Sequence, residues 1–164
     1  MKRKPAGKDK SPVPKLRSTM RTIDRDILPT LLGYNIRRAQ IVLWRDFART
    51  VAEGEIRPGM FSALALTRAN PGIAQVELAS ELGIDKASMV ALMDRLEDAG
   101  WILRTRSSED RRRQSITLTA EGERTYKSLK REMLDHERKF AELFSDRERE
   151  QLVRMLQRFQ KVQV

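Results

Sequence analysis

Cysteine is absent from the 164-residue chain, and histidine occurs once, at His136. Without thiols there is no disulfide, no thiol redox switch and no thiolate metal site. One histidine cannot furnish the ligands of a zinc site, so no metal is expected. No apolar run approaches the ~18 residues of a membrane span. The basic N-terminus lacks the apolar core of a secretory signal. These absences lead us to expect a soluble protein of the cytoplasm that uses no membrane as partner. There is also no Gly-rich phosphate loop and no carboxylate cluster on an apolar face. An enzyme is therefore not expected, and neither catalytic residues nor a cofactor are assigned.

What the chain has is positive charge. It carries 33 Lys/Arg against 23 Asp/Glu, a formal net charge of +10. The excess is clustered: residues 1–25 hold nine Lys/Arg and a local charge of +7, and residues 104–113 hold five Arg and a local charge of +3. Clustered positive charge favours a polyanionic partner, although a basic tail also serves solubility alone. The hydrophobic content of 40% suffices for one core. Residues 1–25 read as a disordered basic arm, since the first twenty are rich in Lys, Pro and Ser and poor in apolar side chains.

Order is expected from about Asp26–Thr30, with Pro29 in a first helical turn. Leu32, Ile36, Ala39, Leu43, Phe47 and Val51 fall at spacings of three and four, which predicts a long amphipathic helix ended by Gly54. Its other face carries Arg37, Arg38, Arg45 and Arg49. Pro58 opens a second helix over 59–70. A third covers 75–82, with Val76, Leu78, Ala79 and Leu82 apolar, but Ala74 stands where a hydroxyl cap is usual. Gly83 supplies a turn and Asp85 caps a fourth helix over 86–99, ended by Gly100. Two short strands follow, 102–106 and 114–118, joined by a polar loop with three adjacent arginines. Thr119 caps a fifth helix, whose stripe includes Leu129, Met133 and Phe140. Ser145 and Glu148 form a capping box for a sixth, striped by Leu152, Leu156 and Phe159.

The fold class expected is mainly α with a small β-hairpin wing: a winged helix-turn-helix over 58–118, flanked by long terminal helices at 26–57 and 119–164. The flanking stripes exceed what the compact module can cover, so a twin subunit is their simplest home. A two-fold dimer would set two recognition helices about one DNA turn (~34 Å) apart on a pseudo-palindromic operator of double-stranded DNA.

In the fourth helix Met89, Leu92, Met93 and Leu96 form the inner face. Lys86, Ala87, Ser88, Val90, Ala91 and Arg95 are left for DNA. The first of these offer few bidentate contacts but suit thymine methyls. Residues 85–99 sum to −2, so affinity must come from the wing: Arg104, Arg111, Arg112 and Arg113. An arginine at the tip suits a narrow minor groove. Asp110 is assigned to orient a neighbouring guanidinium.

Several motifs together resemble the MarR family of winged-helix transcription regulators, over roughly 26–162. They are Arg57-Pro58-Gly59-Met60-Phe61; Gln75-Val76-Glu77-Leu78-Ala79 with Leu82-Gly83-Ile84; the run from Leu92 to Ile102; and Asp110-Arg111-Arg112 followed by the run from Ile116 to Gly122. The resemblance implies a homodimer joined by the first, fifth and sixth helices, and matches Asp110 and Arg112 to the family's wing Asp-x-Arg pair. It also implies repression relieved by a small, often aromatic ligand. Ala74, Val90 and Ala91 depart from the family's usual residues, and the missing cysteine argues against its peroxide-sensing branch.

Ligand-site candidates are Tyr34, Arg38, Trp44, Arg45, Arg49, Phe61 and Leu64. The Arg57-to-Phe61 stretch and the basic first helix are similar to members that control aromatic-acid catabolism. An arginine-rich rim suits the phosphates of a CoA thioester. The effector expected is an aromatic acid or an aromatic acyl-CoA. The competing expectation is an architectural DNA-binding protein that responds to no metabolite.

Overall fold

The computed structural model describes residues 23–51, 56–106 and 114–162. The chain divides into two compact units, 1–36 and 37–164. In the first, Asp26 adopts φ 47°, and its amide donates to Asp24 Oδ1 at 2.9 Å. A 3₁₀ turn spans Leu28–Thr30 with Pro29 in its first positions. The Asn35 side-chain amide donates to the carbonyls of Pro29 (2.9 Å) and Leu31 (2.8 Å), stitching this turn to the start of the first helix. Ile23, Ile27, Leu28, Leu31, Leu32 and Ile36 are all exposed.

Helix α1 runs Leu32–Thr50. Only the C-terminal end of its predicted stripe is interior: Phe47 and, just past the helix, Val51 are buried, while Leu43 is half-buried and Leu32, Ile36 and Ala39 are exposed. The predicted stop at Gly54 lies outside the described residues. Helix α2 is Pro58–Ala69, with Pro58 leading it as expected. Strand β1, Ile73–Ala74, was not foreseen. Helices α3, Gln75–Leu82, and α4, Lys86–Asp98, follow. Strands β2, Ile102–Arg106, and β3, Gln114–Leu118, have the bounds read from the sequence. Helix α5 is Ala120–Ala141 and α6 is Asp146–Phe159.

The sheet is antiparallel in the order β1-β3-β2. Its registers pair Ile73 with Ile116, Ile102 with Leu118, and Arg104 with Ile116. One core joins Phe47 of α1, Met60 and Leu64 of α2, Leu78 of α3, Met89, Met93 and Leu96 of α4, Ile102 and Ile116 of the sheet, and Leu129 of α5. Each such side chain contributes very roughly 1.5–3 kcal/mol when fully buried.

Two glycines set this geometry. Gly83 ends α3 at φ +61°, a left-handed conformation that costs other residues. Gly122 sits where α5 crosses the hairpin base: a Cβ there would lie 1.9 Å from the Trp101 carbonyl oxygen. No residue of α6 is buried, and Leu152, Val153, Met155, Leu156 and Phe159 on its apolar face are 39–51% exposed.

Candidate nucleic-acid interface

Ala74 is the N-cap of α3 and has no side-chain acceptor. Glu77 takes over half of the capping task, its carboxylate accepting from the Ala74 amide at 2.8 Å. After the Gly83 turn, Asp85 caps α4, accepting from the amides of Ala87 and Ser88 at 3.0 Å each and from the Ser88 hydroxyl at 2.6 Å. The Ser88 hydroxyl and these amides hold the Asp85 carboxyl below its usual value. The Ser88 hydroxyl spends its proton on Asp85, which leaves its oxygen as an acceptor only.

Met89, Met93 and Leu96 anchor α4 in the core. Lys86, Ala87, Ser88, Val90, Ala91 and Arg95 are all exposed, so the predicted reading face is bare of packing. Beside it a cavity of about 640 Å³ is lined by Ala74, Gln75, Val76, Ala79, Ser80, Lys86, Met89 and Gln114. It joins the starts of α3, α4 and β3. Sequence reasoning placed Val76 among the apolar side chains of its helix, yet it is 67% exposed on this surface. An apolar residue at an odd position of an amphipathic helix was the available signal.

The wing base departs from expectation at Arg104. The sequence reading gave this residue to DNA. The structure turns its guanidinium back onto α4: Nε donates to Glu97 Oε2 at 2.8 Å, and Nη2 bonds Glu97 and lies 2.8 Å from Asp94 Oδ1. The arginine holds the Glu97 carboxyl below its ordinary value, and the two carboxylates raise that of Arg104. Asp110, Arg111, Arg112 and Arg113 lie outside the described residues.

The ligand candidates do not form one group. Tyr34 is half-buried in the N-terminal unit. Arg38, Trp44, Arg45 and Arg49 are exposed on α1. At about 100° per residue, Arg38, Arg45 and Arg49 fall within about 40° of one another, a single cationic stripe. Arg49 also lies 3.4 Å from Asp46. Phe61 stacks on Tyr126 of α5 (centroids 5.9 Å apart), and the Arg68 guanidinium lies 5.2 Å from the same ring. Glu123 holds Arg68 in place at 2.9 Å. Leu64 corrects the reading: it is 0% exposed and fills the core rather than facing a cleft.

Sequence reasoning missed one cluster entirely. Asp46 of α1 and His136 of α5 are buried against each other, with His136 Nε2 3.7 Å from Asp46 Oδ2 and 3.3 Å from the Leu43 carbonyl. The Lys139 ammonium donates to Asp46 Oδ1 at 2.5 Å. That bond, aided by His136 and Arg49, holds the Asp46 carboxyl below its ordinary value despite burial. The rings of Phe47 and Phe140 flank His136 at 5.7 and 5.2 Å. The cluster ties α1 to α5.

Among the described residues no helix is long and apolar enough to cross a membrane. The MarR family pattern matches residues 56–113. A putative transcriptional regulatory protein for the hcr operon of Thauera aromatica is 34% identical over 128 residues, 77% of each chain. Among solved structures, the transcriptional repressor CouR bound to a 23-mer DNA duplex superposes with a TM-score of 0.80 at 38% identity, covering 85% of this chain and 99% of that one. CouR bound to p-coumaroyl-CoA gives a TM-score of 0.78 at 36% identity, with 85% and 98% covered.

Proposed function

Because the chain belongs to the MarR family of transcription regulators and is therefore no enzyme, we propose that it is a homodimeric repressor of the cytoplasm, released from its operator by an aromatic acid or aromatic acyl-CoA thioester. In this reading residues 58–118 read double-stranded DNA. Lys86, Ala87, Ser88, Val90, Ala91 and Arg95 meet the major groove, and the wing, with Arg111, Arg112 and Arg113 oriented by Asp110, meets the flanking minor groove. The exposed starting turn of α4 supports this, since a helix whose outward residues are open to solvent is free to enter a groove.

Residues 26–57 and 119–164 form the dimer contact. Support comes from the apolar side chains left exposed at both ends of the chain, including Leu28, Leu31, Leu143, Leu152 and Phe159, for which a second copy is the natural cover. A two-fold dimer calls for a pseudo-palindromic operator. The basic residues before Asp26 add phosphate contacts of little sequence preference.

The observation that carries the effector reading is the exposed stripe of Arg38, Arg45 and Arg49 on α1. Three guanidinium groups on one helix face exceed what a single carboxylate needs and suit the phosphates of a CoA thioester. Trp44, exposed on the same helix, offers aromatic surface for the acyl group. The solved relative with p-coumaroyl-CoA makes the class concrete. Titration calorimetry against aromatic acids, their CoA thioesters and free CoA is the test. A thioester binding at micromolar concentration, weakened by Arg38→Ala and Arg49→Ala, is expected. No binding below millimolar across the panel would leave an architectural DNA-binding protein as the reading.

A further inference from the structure

We infer that Arg104 is a positioning residue of the DNA reader: it locks the wing's first strand onto the recognition helix through Asp94 and Glu97, and does not itself touch DNA. The inference rests on the reading that α4 and the wing both reach DNA. Strand alternation places the residue first. Ile102 is buried, Leu103 and Thr105 are exposed, and Arg104 shares the inward face with Ile102. The side chain is only 19% exposed. Asp94 and Glu97 are three apart on α4, hence neighbours on one helix face, and the arginine fork spans both. A planar guanidinium fixes direction as well as distance, which a flexible ammonium does not.

The chain supplies a reason for such a strut. Between α4 and β2 run only Ala99, Gly100 and Trp101, with Gly100 at φ +72°. The core and the Thr119 bonds to Gly100 and Trp101 fix the hairpin at its base. Arg104, two residues beyond Ile102, carries that attachment outward along the strand before DNA is met, which lowers the ordering cost of binding. The pair also offsets two of the carboxylates on α4, which would otherwise stand beside phosphate.

The two roles open to Arg104 predict opposite signs for one substitution. If Arg104 were a phosphate contact held in reserve by Glu97, Glu97→Gln would free it, remove a negative charge, and tighten DNA binding. If Arg104 is a strut, Glu97→Gln loosens the wing and weakens binding. The experiment measures affinity for a promoter fragment and its hydroxyl-radical footprint, for wild type, Glu97→Gln, Arg104→Gln, the double variant and Arg112→Ala. We expect each single strut variant to bind about tenfold more weakly, the scale of one lost charge-assisted pair. Protection should vanish at the flanking minor grooves and persist at the central major grooves. The double variant should be no worse than Arg104→Gln, since both remove one interaction. Equal or tighter binding by Glu97→Gln, or an unchanged flanking footprint, overturns the inference. If Arg112→Ala also leaves the flanks protected, the reading of the wing fails instead. Should melting curves show Glu97→Gln unfolded, Arg104→Lys gives the same readout: it keeps the charge and loses the fork, so flanking protection should be lost, and full protection with lysine would refute the strut.

Discussion

Gly122→Ala is the smallest change expected to separate the DNA reader from the helix behind it. The glycine lies in the first turn of α5, and its amide donates to the capping Thr119 hydroxyl at 2.9 Å. That hydroxyl donates to the Gly100 carbonyl at 2.6 Å, and the Thr119 amide donates to the Trp101 carbonyl at 3.0 Å. An added Cβ would stand 1.9 Å from the Trp101 oxygen and 2.8 Å from its carbonyl carbon, well inside ordinary contact at about 3.5 Å. Both obstacles are backbone, so α5 must move by about 1.5 Å, breaking the cap and the Trp101 link together. Overpacking that side chains can absorb costs about 1–3 kcal/mol. Here the upper end, ~3 kcal/mol, is appropriate, partly offset by alanine's better helix propensity of about 1 kcal/mol. At about 2–4 °C per kcal/mol for a chain of this size, the net cost lowers Tm by roughly 4–8 °C. Scanning calorimetry at fixed protein concentration reads this, with Gly59→Ala as control. Gly59 has nothing within 4 Å of an added Cβ, so that variant should be neutral or slightly stabilised. Equal melting of Gly122→Ala and wild type would refute the reasoning.

Other consequences are open to measurement. Arg112→Ala should weaken operator binding strongly, and Asp110→Ala should do so indirectly by freeing its neighbours, as gel-shift titrations will show; equal affinity for wild type and Arg112→Ala would remove the wing from the interface. Deleting 145–164 removes the exposed stripe of Leu152, Leu156 and Phe159, and sedimentation should find the truncated protein largely monomeric, whereas a tight dimer would place the contact elsewhere. Asp46 has its carboxyl pKa depressed by Lys139, so its pair stabilises the fold above the ordinary carboxylate range and loses that effect as pH falls through the depressed value. Asp46→Asn should therefore melt lower than wild type at pH 7 and converge with it at acid pH. Parallel melting curves would exclude the pair from the acid response.

Local signals were legible in the sequence and long-range ones were not. The Asp85 cap, the Ser145–Glu148 capping box and the two short strands either side of a polar arginine loop are written within a few residues, and each element starts where its signal lies. Strand β1 has two residues, too few for any periodicity, and its partner β3 comes 43 positions later, as the Ile73–Ile116 register shows. The contact of Arg104 with α4 was not legible because residue type suggests DNA while strand register decides which face a side chain occupies. The Asp46–Lys139 bond joins residues 93 apart, and no local pattern announces it. His136, seven residues after Leu129 on one helical stripe, carried a hint of burial that residue count alone obscured.

The central claim is that an aromatic effector and the operator compete through one dimer. Fluorescence anisotropy of a labelled fragment from the promoter beside the protein's own gene, titrated with and without an aromatic acyl-CoA, tests it most directly. A coupling of roughly 1–3 kcal/mol should weaken DNA binding about 5–150-fold, and linkage requires the DNA to weaken effector binding by the same factor. Isotherms that coincide at saturating effector, for every thioester and free acid tried, would contradict the account.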